Sequence, residues 1–401
     1  MKRFIFVSVV VMFLSVSAMA EDTTVRWYQY QVEVADQVNA MVKAYAAEHP
    51  GVKIEPTVLG DVYWDQLKVR AAAVDMPDVF MTDGYSRIKT YRQYALDMTK
   101  DPLAANIVEG AKPAISLDGK IMGLPAQMSG WGVVYNKDLF AKAGVAIPKT
   151  WNELIKVTAD LKSKGITPWV NQYKDAWLLG QLVGTAVGKI PNVSDFVTKA
   201  NAGKAKLAEQ EVLKRTVDIL DLTLANGQKN PLNDGWNEAC ALMAQGKGAM
   251  MLEGIWVYDT IKSINPDAKV GLFALPFSNS VADTKLSADV NGTYHILANG
   301  KNVGVVKDLF NWLLNTPSGQ KFFLNTGFIP AYKGLPSRLN DLGRDANDYI
   351  QAGKTTIWGW VVGPPNFQAD SGTVFQEYIL GKTNKTTVLK ALDDLWAKLL
   401  Q

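Results

Sequence analysis

The run Gly246-Lys247-Gly248-Ala249-Met250-Met251-Leu252-Glu253-Gly254-Ile255-Trp256 holds residue types suited to gripping a small molecule. Ala249 to Glu253 are mostly apolar and too few for a helix, so they read as a buried strand between glycines, with a turn at Gly254. Ile255, Tyr258 and Ile261 then recur at helical spacing, which sets Trp256 on the first helical turn beyond the strand's carboxyl end. Glycine admits close backbone approach, a helix start offers unpaired N–H donors, and the indole adds a rigid apolar face with one donor. Open α/β sheets bind ligands at such strand ends. The competing reading is a core tryptophan after a tight turn, since tryptophan is usually well buried.

Twelve tryptophans are unusually many for this length, and several sit in aromatic groups: Trp27 with Tyr28 and Tyr30, Tyr63 with Trp64, Trp169 with Tyr173 and Trp177, and Trp358 with Trp360. Reactive chemistry is poorly provided. His49, His295 and Cys240 leave little for a transition-metal site or a Cys-His nucleophile, each histidine reads as structural, and no cofactor is expected.

Positioning such residues takes more than one core, because 401 residues exceed the usual domain size and point to two domains. Lys2 and Arg3, the apolar run Phe4 to Val16 and Ala18-Met19-Ala20 describe a secretory signal cleaved after Ala20. Without a cysteine at the cleavage point to carry a lipid, the mature chain is expected to be free in the periplasm. Removing Lys2 and Arg3 leaves 40 basic against 39 acidic side chains, which gives no electrostatic footprint for nucleic acid. A lone cysteine excludes an internal disulfide.

Strands at Val25 to Tyr28, Val52 to Val58 and Pro77 to Met81 alternate with helices around Val38 and Leu67, a βαβ rhythm that implies a mainly parallel sheet. Its ligand loops would be Gln29 to Gln31 and Asp83 to Tyr85. Gly123 to Asn136 is a glycine-punctuated extended stretch that reads as a crossing between domains. Asn291 to Leu297 reads as a return crossing and Gly327 to Pro330 as a third. A further strand is expected at Ile166 to Val170, and Thr150-Trp151-Asn152-Glu153 is a capping box that opens a helix.

The ordered set Pro77-Asp78 with Phe80, Gly123-Leu124-Pro125, Tyr135-Asn136-Lys137, Pro148-Lys149-Thr150-Trp151, Gly246 to Trp256, Leu275-Pro276 and Gly327 with Pro330 resembles the family 1 extracellular solute-binding proteins of ABC importers. The similarity runs over essentially the whole mature chain, and that family's best-known members bind maltodextrins and other sugars. The resemblance implies an α/β fold of the periplasmic-binding-protein type: two α/β lobes joined by a hinge of about three crossing segments. The lobes would comprise residues 21–127 with 293–328 and residues 128–292 with 329–401. The chain would act as a monomer that hands a sugar, captured in the cleft, to the transmembrane permease subunits of an ABC importer.

Carried onto matching positions, the resemblance implies substrate contacts from Gln29, Tyr30 and Gln31 on the first loop, Asp83 and Gly84 on the next, and Gln127 on the first crossing. In the second lobe it implies Tyr173, Asp175, Trp177, Gly254, Trp256, Trp358 and Trp360, with Asn291 and Gly292 on the return crossing. For Trp177, Trp358 and Trp360 a packing role competes with ligand contact; Trp64, Trp151 and Trp312 are assigned to packing.

A pyranose presents an apolar C–H face and a rim of hydroxyls, so aromatic planes, amides and carboxylates suit it. Aromatics in several loops favour an oligosaccharide. A polyamine, peptide or metal ion in the same fold, and a secreted glycoside hydrolase using Asp83 and Asp175 as acid and base, are the alternatives; no enzyme activity is expected. The export reading predicts that intact-mass measurement of exported protein begins at Glu21, and retention of Met1 or an attached lipid would contradict it.

Overall fold

The computed structural model describes residues 23–401, so the expected signal lies outside the described residues. The elements used below are, in chain order, Thr23–Gln29 (β1), Ala35–Glu48 (α1), Val52–Val58 (β2), Tyr63–Ala72 (α2), Val79–Thr82 (β3), Tyr85–Tyr91 (α3), Leu124–Pro125 (β4) and Met128–Asn136 (β5). They continue with Ala176–Gly188 (α4), Met250–Gly254 (β6), Val257–Ile264 (α5), Val270–Phe273 (β7), Leu286–Val290 (β8) and Thr293–Ile296 (β9). The last are Pro317–Thr326 (α6), Thr355–Thr356 (β10) and Phe367–Ile379 (α7).

Two sheets form two lobes. The first runs β2-β1-β3-β9-β4, with β1 parallel to β2 and β3 and with β9 antiparallel to its neighbours. Val38, Met41 and Tyr45 recur on one face of α1 and bury it. Trp27 is fully buried beneath, its ring 4.7 Å from Tyr294 and 5.5 Å from Phe310.

The second sheet runs β10-β8-β5-β6, with β7 also paired to β5. Its core strand β5 is buried along almost its whole length, as its apolar run Trp131 to Val134 requires. This second sheet is mainly antiparallel: β6, β7 and β8 all pair antiparallel with β5, and β10 lies parallel to β8. For β8 the reason is topological: β5 and β8 cross between the lobes in opposite directions, so they meet antiparallel. The strand expected at Ile166 to Val170 does not form. That segment makes only an isolated bridge between Trp169 and Met250, and Pro168 has no N–H to offer a ladder. The capping box forms on one side only: Glu153 N–H donates to Thr150 Oγ1, while Glu153 Oε2 accepts from Lys149 N–H.

All three crossings lie side by side. The Asn291 N–H donates to the Gln127 carbonyl (2.7 Å) and the Ala126 N–H to the Gly292 carbonyl (2.9 Å), so the first two form one antiparallel ribbon. The third joins it where Met128 N–H donates to the Ile329 carbonyl at 2.7 Å.

Helices α4 and α7 are pressed together until backbones nearly touch. A Cβ on Gly180 would stand 1.8 Å from the Gln368 carbonyl oxygen, and one on Gly372 would stand 1.7 Å from that of Ala176. Gly184 admits the Trp360 backbone in the same way, its imagined Cβ 2.6 Å from the Trp360 nitrogen. These contacts fix Trp358–Trp360 against the lobe. Gly372→Ala should therefore destabilise the protein by about 1–3 kcal/mol through overpacking, read as a lower thermal midpoint; an unchanged midpoint would show that the helices separate freely.

Candidate functional site

The β6–α5 turn builds an aromatic wall on the second lobe. Gly254 ends the strand, and a Cβ there would lie 2.2 Å from the Trp256 ring, so only glycine lets the indole fold back over the strand end. Trp256 retains 8% exposure and stands edge-on to Trp358 at 6.0 Å. Trp358 stacks on Trp360 at 4.8 Å, and Trp360 meets Trp131 edge-on at 6.2 Å. Four indoles thus form a continuous row, and the backbone pairing of Trp131 with Gly254 across β5 and β6 anchors its ends. The row brings Gly254, Trp256, Trp358 and Trp360 together. Trp131 was missed, though it lies two residues into the crossing strand from Ser129 and its position was legible.

On the first lobe, Gly84 adopts φ +86° and lies so close to Ala114 that a Cβ would meet its carbonyl oxygen at 2.4 Å. This turn presents Asp83, whose carboxylate accepts from Arg87 Nε at 3.0 Å. Arg87 in turn lies 3.8 Å over the Trp64 ring, and Trp64 packs on Tyr30 at 5.2 Å. Trp64, expected in packing, is half-buried in this loop cluster, and Arg87 is spent on Asp83 and the indole rather than on an anion. Burial raises the Asp83 pKa and Arg87 opposes it.

Gln29 is fully buried and its amide is engaged: Oε1 accepts from Trp27 Nε1 and the Tyr294 hydroxyl, and Nε2 donates to the Gln31 carbonyl. It shapes the loop. Gln31 donates to the Asn291 carbonyl at 3.2 Å, and Gly292, at φ +88°, leaves room for Met81 and the Tyr30 hydroxyl. Gln127 is buried in the hinge ribbon.

The aromatic loop of the second lobe is less unified. Tyr173 is buried with its hydroxyl 2.6 Å from Thr223 Oγ1, a core arrangement. Asp175 accepts from Trp236 N–H at 2.8 Å and faces Asp61 of the first lobe, whose pKa is raised by burial first and by Asp175 second. Trp177 is half-buried on the first turn of α4.

Two carboxyls that sequence reasoning did not assign lie between the lobes. Glu253 has no exposed surface; Oε2 accepts from Gly254 N–H at 2.6 Å and Oε1 from Gln172 Nε2 at 3.2 Å. Burial pushes its pKa well above the carboxylate range, and Glu33 of the first lobe pushes it further. Glu33, on the turn Val32–Val34, keeps part of its own surface open yet is deeply surrounded by protein; burial first, then Asp259, lifts it to about 7.

Several buried neutral groups around this junction have no protein partner: Gln31 Oε1, Ser129 Oγ, Trp131 Nε1, Gln172 Oε1 and Asn291 Nδ2. Unpaired buried polar groups are costly, so these five are free to pair with a polar guest. A cavity of about 350 Å³ lies elsewhere, beside the third crossing, between Asp259 on α5 and Asn325 on α6. Its lining is polar, with Asp259, Arg338, Asp341 and Arg344 among it, and lacks the indole row. Among the described residues no three His, Cys, Asp or Glu side chains converge as metal ligands.

Comparison with known proteins agrees with this architecture. The chain is 22% identical over 378 residues to the multiple sugar-binding protein of Streptococcus mutans, covering 91% of this chain and 88% of that protein. It is 25% identical over 341 residues to the melibiose/raffinose/stachyose-binding protein of Bacillus subtilis, covering 78% and 74%. A sugar transporter of Bacillus licheniformis, solved in complex with stachyose, superposes with a TM-score of 0.79 at 20% identity over 94% of this chain and 100% of that one, which establishes the fold. The family model for the bacterial extracellular solute-binding proteins matches residues 31–320, and the chain belongs to that family.

Proposed function

We propose that this protein captures a neutral oligosaccharide between its lobes and delivers it to the permease of an ABC importer, working as a periplasmic monomer without catalysing a reaction. The observation that carries this reading is the row Trp131–Trp360–Trp358–Trp256 beside neutral, unpaired hydrogen-bonding groups. Indole faces suit the C–H faces of sugar rings, and amides, indole N–H and hydroxyl suit their rims. The multiple sugars, melibiose, raffinose and stachyose in the relatives' names support the same class.

The two carboxylates that a glycosidase would need are otherwise engaged, Asp83 by Arg87 and Asp175 by the Trp236 N–H, which supports binding over hydrolysis. The ligand would rest on Trp256, Trp358 and Trp360 of the second lobe and meet Tyr30, Gln31, Asp83 and Asn291 from the first. Membership of β1–β4 and β9 in one sheet and β5–β8 and β10 in the other supports lobes of residues 21–127 with 293–328 and 128–292 with 329–401.

Titration calorimetry with raffinose, stachyose and maltodextrins tests the reading. Trp256→Ala should weaken binding about ten- to a hundredfold by removing roughly 1–3 kcal/mol of stacking, with the fold retained. Equal affinity would place the ligand elsewhere, and a thermal shift given only by amino acids, polyamines or metal ions would refute the sugar.

Charge makes a separate prediction. Glu33 is lifted to about 7 where the lobes meet, so the closed form holds a proton that a more solvated, open form releases. Closure on an uncharged ligand then takes up a proton, and its stabilisation is lost as pH rises through about 7. Affinity should rise on acidification from about 7 toward the ordinary value of 4.5, stay level above about 7, and flatten throughout in Glu33→Gln; a flat wild-type profile would contradict the coupling.

A further inference from the structure

We propose that Tyr85 is a latch residue, which holds the lobes together by seating its hydroxyl on the buried carboxylate of Asp289 and thereby positions the indole wall. The Tyr85 hydroxyl, at the start of α3 on the first lobe, donates to Asp289 Oδ2 at 2.9 Å. Asp289 lies on β8 of the second sheet, is 3% exposed, and uses the same oxygen to accept the Trp358 N–H at 3.2 Å. Its other oxygen accepts the Val290 N–H at 2.8 Å. One residue on, Ser86 Oγ donates to the Val361 carbonyl at 3.0 Å, a second bond between the lobes. The carboxylate therefore joins the first lobe to the backbone of Trp358, whose ring contacts both Trp256 and Trp360.

The backbone supports this assignment. Tyr85 adopts φ +42°, a left-handed conformation that a bulky residue rarely takes, directly after Gly84 at φ +86°. Strain of this kind persists where surrounding contacts over-determine it, and it gathers at switch regions. Here two consecutive residues of positive φ turn the chain so that both the Tyr85 and Ser86 hydroxyls reach the opposite lobe.

Hydrogen bonds to a charged acceptor in a dry site are among the stronger ones. Because these bonds need the lobes together, they stabilise the closed form after the lobes have met and leave the approach itself unchanged. The latch acts between protein groups, so its test does not depend on the identity of the ligand, and failure of the sugar reading would leave it standing.

The test is single-molecule energy transfer with one dye on an exposed position of each lobe, recorded without added ligand and again with raffinose; Cys240 is buried and does not compete for label. The wild-type chain should show closed excursions, and Tyr85→Phe should shorten their dwell about tenfold while the closing rate stays within about twofold. Ser86→Ala, which spares the tyrosine, should shorten it by less. Closed dwells unchanged in both variants, a closing rate that falls in step with the dwell, or a wild-type chain that never closes without ligand would each overturn the proposal. Thermal unfolding of Tyr85→Phe separates latch from scaffold: a lowered midpoint with wild-type dwells assigns the hydroxyl to folding alone and also overturns it.

Discussion

Two backbone hydrogen bonds carry the architecture: Asn291 N–H to the Gln127 carbonyl and Ala126 N–H to the Gly292 carbonyl. They pair the two segments by which the chain leaves the first sheet and returns to it, so each sheet is completed by a strand that belongs to a crossing. The ribbon runs straight into the pairing of β9 with β4 in one sheet and of β8 with β5 in the other. The same pairing fixes where function must sit. Gln31 donates to Asn291, Gly292 makes room for Tyr30, and Asp289 stands two residues before Asn291, so the polar floor of the cleft is continuous with the hinge.

Close approach is the second constraint. Three glycines on α4 and α7 let helices meet at backbone contact and hold Trp358–Trp360 in place, and Gly254 lets Trp256 fold over its own strand end. The indoles are mutually buttressed, so the wall is a rigid surface whose shape is set before any ligand arrives. Rigid aromatic anchors lose little conformational freedom on binding, which suits recognition by stacking. Among the described residues the lobes are joined by the crossing bonds, by Gln31 to Asn291, by the pairing of Asn106 and Val108 with Lys333 and Ala331, and by the Tyr85 and Ser86 contacts.

Local patterns in the sequence carried much of this. The strand at Val52–Val58 matched its expected limits because apolar and β-branched residues end at clear turn signals, and Trp256 stands at the start of its helix because the glycine and the helical spacing both demand it. The direction of the second sheet was not legible: a strand's own residues do not say which way its partner runs, and β5 meets partners about 120 to 160 residues away in sequence. The role of Glu253 was hidden for a related reason. Its place at the end of a buried strand was read from the sequence, yet only the packed structure shows the whole carboxyl enclosed with Gln172 beside it and its pKa held high by burial. Gln29 shows the converse. Expected on the loop after the first strand, it is instead the last residue of β1, and its amide is consumed by Trp27, Tyr294 and Gln31, contacts that only tertiary structure reveals.

The central claim is that the indole row and the facing loop cluster receive a neutral oligosaccharide. The twelve tryptophans make that claim directly observable, because each indole N–H gives its own signal in a two-dimensional ¹H–¹⁵N spectrum of indole-labelled protein. On titration with a panel of neutral oligosaccharides, the account predicts saturable shifts at Trp64, Trp131, Trp256, Trp358 and Trp360. Trp27, Trp151, Trp169 and Trp312, buried away from the row, should hold their positions. Shifts confined to that second group, or no shift with any member of the panel, would contradict it.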